Sequence, residues 1–320
     1  MKKLYFILGS LVFFTFMACS NSTDSTNNSQ AEEEKAIKNI IDQDDMAYEE
    51  IGDASEDSYG AEDPSWLPGN LAKDGFRMRF GRKIVERQGD IEVVFTSDTT
   101  ATAYVTREYK GEFVSLMGQW VNDTTFTGQR FSKPLVHRVE RVVNLIKYRD
   151  DAAIERRNWK RESVSLADGK SDPNTISIVE LVVKPEGQDS VVITNPLDFF
   201  LNGLNVFTLP RFTEVTLRVK VENNTINPVE FPTGSGSTEN VRLQYGRNRL
   251  GHHAKTNFQY VGRDNNGYQV YEGKWTVRQF QGIHHAVIDV IDNGTILKND
   301  EENYPYNSAT WGTPYLVTPF

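Results

Sequence analysis

Residues 166–174 read LADGKSDPN, and the division of the chain turns on them. Asp168, Gly169, Asp172, Pro173 and Asn174 are turn formers: glycine tolerates positive φ, proline fixes φ, and Asp and Asn bond their own backbone. The stretch therefore reads as a short connection between two units, 31–170 before it and 171–320 after it. So short a connection leaves the units little relative freedom.

After it, strand follows strand. TISIVELVV, DSVVIT, FTEVTLRVKV, VRLQY, NFQYVG, YQVYEGKWTV and HHAVIDVI are separated by clusters of Gly, Pro, Asn and Asp. Val215, Leu217, Val219 and Val221 alternate with Thr216, Arg218 and Lys220, the period of a strand with one buried face. Short strands at this spacing predict an all-β sandwich of immunoglobulin or fibronectin type III kind. By strand parity Tyr271 and Trp275 face its core. Asp264–Gly267 and Asp292–Gly294 read as hairpin turns, since Asn-Gly supplies the positive φ they need and the remaining ligands of a calcium loop are missing. The final ATWGTPYLVTP is expected at a sheet edge, where proline discourages further pairing.

Before it, the pattern differs. In AEEEKAIKNIIDQDDMAYEEI, Ile37, Ile40, Ile41, Tyr48 and Ile51 share one helical face, and Glu32 to Glu34 fall in a first turn that favours them. Asp44 lies on that face, either looking into a pocket or reaching water at its edge. GDASEDSYGAEDPSWLPGN then breaks helix repeatedly. From Phe76 the period becomes two: Ile91, Val93 and Phe95, an SDTT turn, then Ala101, Ala103 and Val105 form a predicted hairpin. LVHRVERVVNLIKYRDD and RRNWKRESVSL form a second pair. A helix packed on a long antiparallel sheet is an α+β layer. The order of helix, loop and strands, with TATAYVTREYKGEF at 100–113 and NWKRESVSL at 158–166, resembles the nuclear transport factor 2-like or cystatin-like cone over residues 31–168. The resemblance implies a pocket that in some members holds an Asp or His base, and Asp44, Tyr104 and His137 are the positions to inspect. The expected fold is thus an α+β cone followed by an all-β immunoglobulin-like sandwich.

The chain has one cysteine, in FTFMACSNSTDSTNNSQAEEE. Lys2 and Lys3 precede an apolar run from Leu4 to Ala18 that is short for a membrane span. Ala18-Cys19 resembles a bacterial lipoprotein lipobox, although Phe16 stands where that family usually carries Leu. The resemblance implies removal of residues 1–18 and acylation of Cys19, which would hold the chain on a bilayer. Acylation also leaves no thiol for disulfides, thiolate metal sites or nucleophilic catalysis. The Asn, Ser and Thr tract makes residues 19–30 a predicted flexible tether. Ser20 is not the Asp that retains lipoproteins at the inner membrane, so the outer membrane is the expected address. The acidic run comes too late for surface export, which favours the periplasmic face. Asp-Ser/Thr triplets at Ser25, Thr99, Thr124 and Ser190 resemble the O-glycosylation sites of Bacteroidota. The formal charge of −9 argues against nucleic acid as a partner.

Chemistry is thinly signalled. No GxSxG elbow and no Walker loop is present, and no cofactor is expected. His252-His253 and His284-His285 could each give one imidazole to a metal, because strand neighbours point to opposite faces, with Asp289 completing the set. Tyr304, Tyr306 and Trp311 are candidate exposed aromatics for a sugar ring or a protein partner. The expectation is a lipid-anchored envelope binding or scaffold protein without catalytic activity, whose partners are the bilayer and an envelope protein or glycan. A glycan-binding lipoprotein, or an enzyme working in the cone or at the histidines, are the alternatives.

Overall fold

The computed structural model describes residues 23–44, 47, 76–122, 125–148, 158–202, 206–247 and 254–319. Cys19, Thr124, His252 and His253 lie outside them. Strands make up 64% of the described residues and are almost all antiparallel, which replaces the expected α+β cone with a β-rich, sandwich-like molecule.

Helix α1 (Thr23–Gln43) comes first and begins inside the stretch assigned to the tether. Its apolar stripe does form: Ile37, Ile40 and Ile41 are buried in the main core together with Ile91, Val143 and Trp159. What overturns the cone is the length of the strands beneath it. β1 (Phe76–Ser97), β2 (Thr100–Asn122) and β3 (Thr125–Lys147) have 22, 23 and 23 residues. At 3.3 Å per residue each spans roughly 75 Å, far more than one short helix covers. One half of the layer supports α1, and the other continues into the second half of the chain. The SDTT hairpin is as expected, with Phe95 opposite Ala101, Val93 opposite Ala103 and Ile91 opposite Val105.

LADGKSDPN is where the two halves join. Ala167–Ser171 form β5, which pairs with β3 on one side and with β16 (Ser308–Thr318) on the other. Gly169 serves close packing here: a Cβ would run into Thr310 Oγ1 and His137 Nε2. The first sheet has eleven strands, eight of them in the order β1-β2-β3-β5-β16-β15-β11-β12. β15 is Gly282–Asp292, β11 Glu239–Arg247 and β12 Ala254–Asn257. β4 (Trp159–Ser165) and β8 (Phe200–Asn202) branch from β3, and β9 (Phe207–Pro210) lies parallel to β16. β16 is therefore central, contrary to its expected edge position. Pro314 stands where β16 changes neighbour on one side, pairing with β5 through Gly312 and with β9 from Tyr315, while on the other side it lies opposite His285 of β15.

The second sheet runs β13-β14-β10-β6-β7. Its members are β6 (Ile176–Pro185), β7 (Val191–Ile193), β10 (Glu214–Asn223), β13 (Gln259–Arg263) and β14 (Gln269–Thr276). Val215, Leu217, Val219 and Val221 of β10 pack with Tyr271 and Trp275 against Val241, Leu243, Ile288 and Val290 of the first sheet. This is the sandwich core. The Asp264–Gly267 turn is present, with positive φ at Gly267. Asp292 differs: it caps a short helix, α2 (Asn293–Leu297), accepting from Gly294 N and Thr295 N.

The opposite face of β15 meets β1. Five strand positions separate them, roughly 24 Å in a flat sheet. Arg82 of β1 nonetheless lies 2.7 Å from Asp289 of β15, so the first sheet curls over on itself and encloses a second interior.

Candidate functional site

The inward positions of the long strands carry charge. Along β3 the buried residues are Phe131, Lys133, Leu135, His137, Val139, Arg141, Val143 and Leu145, alternating with more exposed neighbours. Strand parity thus turns Lys133, His137 and Arg141 inward beside Arg82. Of these, Arg82 meets Asp289, which is 0% exposed. Arg82 donates through both Nη atoms to its two oxygens at 2.8 and 2.7 Å. Arg242 donates at 3.2 and 3.1 Å, and Gln244 at 3.0 Å. Ser308 Oγ donates at 3.3 Å. Burial alone would raise the Asp289 carboxyl, but the two guanidinium groups hold it well below the usual carboxylate range.

From this pair the network runs outward. Arg82 Nε donates to Tyr306 Oη at 2.6 Å, Tyr306 meets His137 Nδ1 at 3.0 Å, and His137 Nε2 meets Thr310 Oγ1 at 3.2 Å. Burial, with the neighbouring Arg82 charge, pushes His137 down to about 3 and keeps it neutral. Lys133 donates to the carbonyls of Gly294 and Tyr304, and burial brings it down to about 8.

A second buried carboxylate lies toward the sandwich interior. Glu239 stands directly opposite Asp292 across the β11–β15 ladder, and both are 1% exposed. Asn223 Nδ2 donates to both, at 2.5 and 3.3 Å. Tyr271 and Gln269 also donate to Glu239. Burial raises both carboxyls, and the Asp292 charge adds to the rise at Glu239.

A space large enough for a ligand lies elsewhere. A cleft of about 710 Å³ opens between α1, the β1–β2 hairpin tip and the end of β3. Glu33 of α1 accepts from Lys147 Nζ at 3.2 Å and from Trp159 Nε1, while the Trp159 ring packs 5.9 Å from Phe95. Thr96, Ser97, Asp98 and Thr99 line the opposite wall, and Thr96 and Ser97 hydroxyls each approach Thr100 Oγ1 at 2.7 Å. Tyr148, 57% exposed, forms part of the rim. The arrangement offers hydroxyls, one ion pair and an exposed aromatic ring, which suits noncovalent recognition of a polar partner.

No protein family, curated protein sequence or solved structure matches this chain.

The residues singled out from sequence are dispersed. Asp44, half-buried at the end of α1, is engaged by Arg161. Tyr104 is 49% exposed and His137 is enclosed in the Arg82 network. His284 and His285 face opposite sides of β15: His284 Nε2 bonds to Phe280 O at 2.8 Å, and His285 shares its face with Asp289. No three metal-ligating side chains converge among the described residues, and Asp289 is occupied by arginines. Tyr306 and Trp311 are buried, at 1% and 4% exposure, which removes them as an exposed sugar platform. Trp311 Nε1 donates to Asp168 at 3.1 Å. Tyr304 is half-buried, its hydroxyl donating to Asn227 O at 3.3 Å. Thr99 and Ser190 are exposed, and Ser25 lies in α1. Arg82, Arg242 and Glu239 went unrecognised, although charged residues at inward parity in LVHRVERVV were a readable signal of a polar interior.

Proposed function

We propose that the protein is a lipid-anchored envelope binding module without catalytic activity, and that its binding site is the cleft beside α1. One observation carries this reading: the cleft is open, lined by polar and aromatic side chains together, and close in sequence to the acylation signal. Ten residue steps lead from Cys19 to Ser29 on the cleft wall, and since α1 begins at Thr23 the reach is at most about 25 Å. Acylation at Cys19 would therefore hold the cleft near the bilayer surface, within reach of an envelope protein or glycan. The outer membrane, on its periplasmic face, is the address that Ser20 and the late acidic run support. Arg82, Arg242 and Asp289 bond one another, Lys133, Glu239 and Asp292 bond neutral groups of the interior, and all lie apart from the cleft, which is consistent with a structural role for them.

The test is an affinity capture from gently solubilised envelope using the acylated protein, Cys19→Ala and Tyr148→Ser. A partner recovered with the acylated form and lost with both variants supports the reading. A partner indifferent to Tyr148, or an intact mass without acyl groups, overturns the site or the anchor respectively.

A further inference from the structure

Two phenylalanine rings stand out from the sandwich. Phe212, in the turn between β9 and β10, is 51% exposed, and Phe280, in the connection from β14 to β15, is 79% exposed. Arg211 lies against both, its guanidinium carbon 4.9 Å from the centroid of the first ring and 5.5 Å from that of the second. Arg211 has no ion pair among the described residues, so the rings and not a carboxylate hold it. The segments 206–213 and 274–285 that carry the rings contain Arg211, Lys274 and Arg278 but no Asp or Glu, in a chain with 44 of them. Glu214, just outside, is engaged by Lys274 at 2.8 Å.

The backbone at Phe212 is an outlier. Its φ is +72°, a region that bulky side chains rarely enter. The turn is fixed from three sides: Arg211 N donates to Thr318 O at 3.0 Å, Phe212 N to Val277 O at 2.6 Å and Thr213 N to Pro210 O at 3.1 Å. Glycine would meet this geometry without strain, so a large ring is kept here at a cost to the fold, as happens where the side chain has another use.

The strand register shows which way the rings face. Glu140, Asp168 and Trp311 lie abreast across β3, β5 and β16, and β3 and β16 run the same way. Lys147 and Thr318, equally far beyond them, therefore end at one side of the sheet, and Arg211 bonds Thr318 there. α1 points the same way: Asp42 pairs with Arg107, abreast of Val139, while Glu33 pairs with Lys147. The start of α1, which leads back to Cys19, and the Phe212 turn thus leave the molecule at the same end.

We propose that this end of the sandwich rests on a phospholipid bilayer, with Phe212 and Phe280 entering the boundary between headgroups and acyl chains and Arg211 at the level of the phosphates. The orientation takes the acylation of Cys19 proposed above as its premise; the rings and the cation do not depend on it. Rings in that boundary gain the apolar burial that water denies them, and the cation meets anionic phosphates. Two rings on separate turns, divided by a cation, form no continuous apolar groove for a helix or an added strand. A bilayer supplies both chemistries at neighbouring depths.

Co-sedimentation tests this with the processed chain, residues 19–320, carrying Cys19→Ala so that no acyl group contributes. The vesicles are phosphatidylethanolamine with or without phosphatidylglycerol. The chain should bind both, about fivefold more tightly where phosphatidylglycerol is present, and Arg211→Gln should remove that preference. Phe280→Ser should weaken binding about tenfold. Phe212→Gly should weaken it about as much while the thermal midpoint stays at or above that of the parent chain, because glycine accepts the positive φ. Ile226→Ser is the control and should change nothing: Ile226 is 83% exposed but lies beyond the far end of β10. Binding that ignores Phe280 and Phe212, or no binding at about 10 mM lipid, overturns the proposal. Vesicles ignored while Phe280→Ser abolishes self-association in analytical ultracentrifugation would make the patch an interface between copies, and overturns it equally.

Discussion

Replacing Asp289 with Asn keeps its shape and removes its charge. In the native structure this carboxylate receives two bonds from Arg82, two from Arg242 and one from Gln244, with no solvent contact. Arg82 is itself 1% exposed, so it cannot turn to water when its partner is neutralised. Breaking one side of a buried pair typically costs about 3–5 kcal/mol. Set against a total stability of about 5–15 kcal/mol, that is a large share. At about 2–4 °C per kcal/mol, the melting temperature should fall by between roughly 6 and 20 °C. Urea unfolding at pH 7, followed by tryptophan fluorescence, reads the loss directly. Combining Asp289→Asn with Arg82→Met should cost less than the sum of the single changes by about 0.5–3 kcal/mol, because the second change removes the stranded cation. The acid limb gives a further check. Asp289 has a depressed carboxyl, so its stabilisation is present above the unfolded value near 4 and is lost as pH falls below it. The variant should lack that part of the acid dependence. A loss below about 1 kcal/mol together with an unchanged acid limb would refute the argument that this pair holds the curled sheet closed.

Three further outcomes are expected. His137, pushed down to about 3, is neutral in the folded chain while the unfolded chain takes up a proton below about 6.5. Stability should therefore fall by up to about 1.4 kcal/mol per unit as pH drops from 6.5 toward 3, and His137→Gln should flatten that slope in urea titrations. Glu239 titrates in the other direction: its raised carboxyl stabilises most below the unfolded value near 4.5, and the benefit is lost as pH rises through the folded value. Glu239→Gln should thus narrow the difference between urea midpoints at pH 5 and pH 8; an unchanged difference would place the proton elsewhere. Gly169→Ala should destabilise by about 1–3 kcal/mol through crowding against Thr310 and His137, and a thermal midpoint equal to wild type would contradict the close approach of β5.

Local pattern was legible and long-range closure was not. The stripe Ile37, Ile40, Ile41, the hairpin around SDTT and the inward parity of Tyr271 and Trp275 all follow from period alone, since each depends on neighbours a few residues away. LADGKSDPN misled because Gly and Asp serve two purposes. In a turn they relax the backbone, whereas in β5 Gly169 makes room for Thr310 and Asp168 accepts from Trp311, a residue 143 positions away. Pro314 misleads likewise: one missing donor suggests an edge, yet the residue lies inside the β15–β16 ladder at a change of neighbour on the other side. The sequence offers Asp289 as a possible third metal ligand beside the histidine pairs. Its actual partners, Arg82 and Arg242, lie 207 and 47 residues from it in sequence, and no spacing rule pairs them.

The central place of β16 has a consequence for how the chain reaches this state. β5 gains its second neighbour only when β16 arrives, and β9 has no other partner among the described strands. The curl that joins Arg82 to Asp289 waits on the same event, because β16 bridges β5 and β15. Contacts of such sequence separation form slowly and late. A chain delivered amino terminus first would therefore remain short of a closed sheet until β16 emerged, with the long strands β1 to β3 waiting on a partner made well over a hundred residues later.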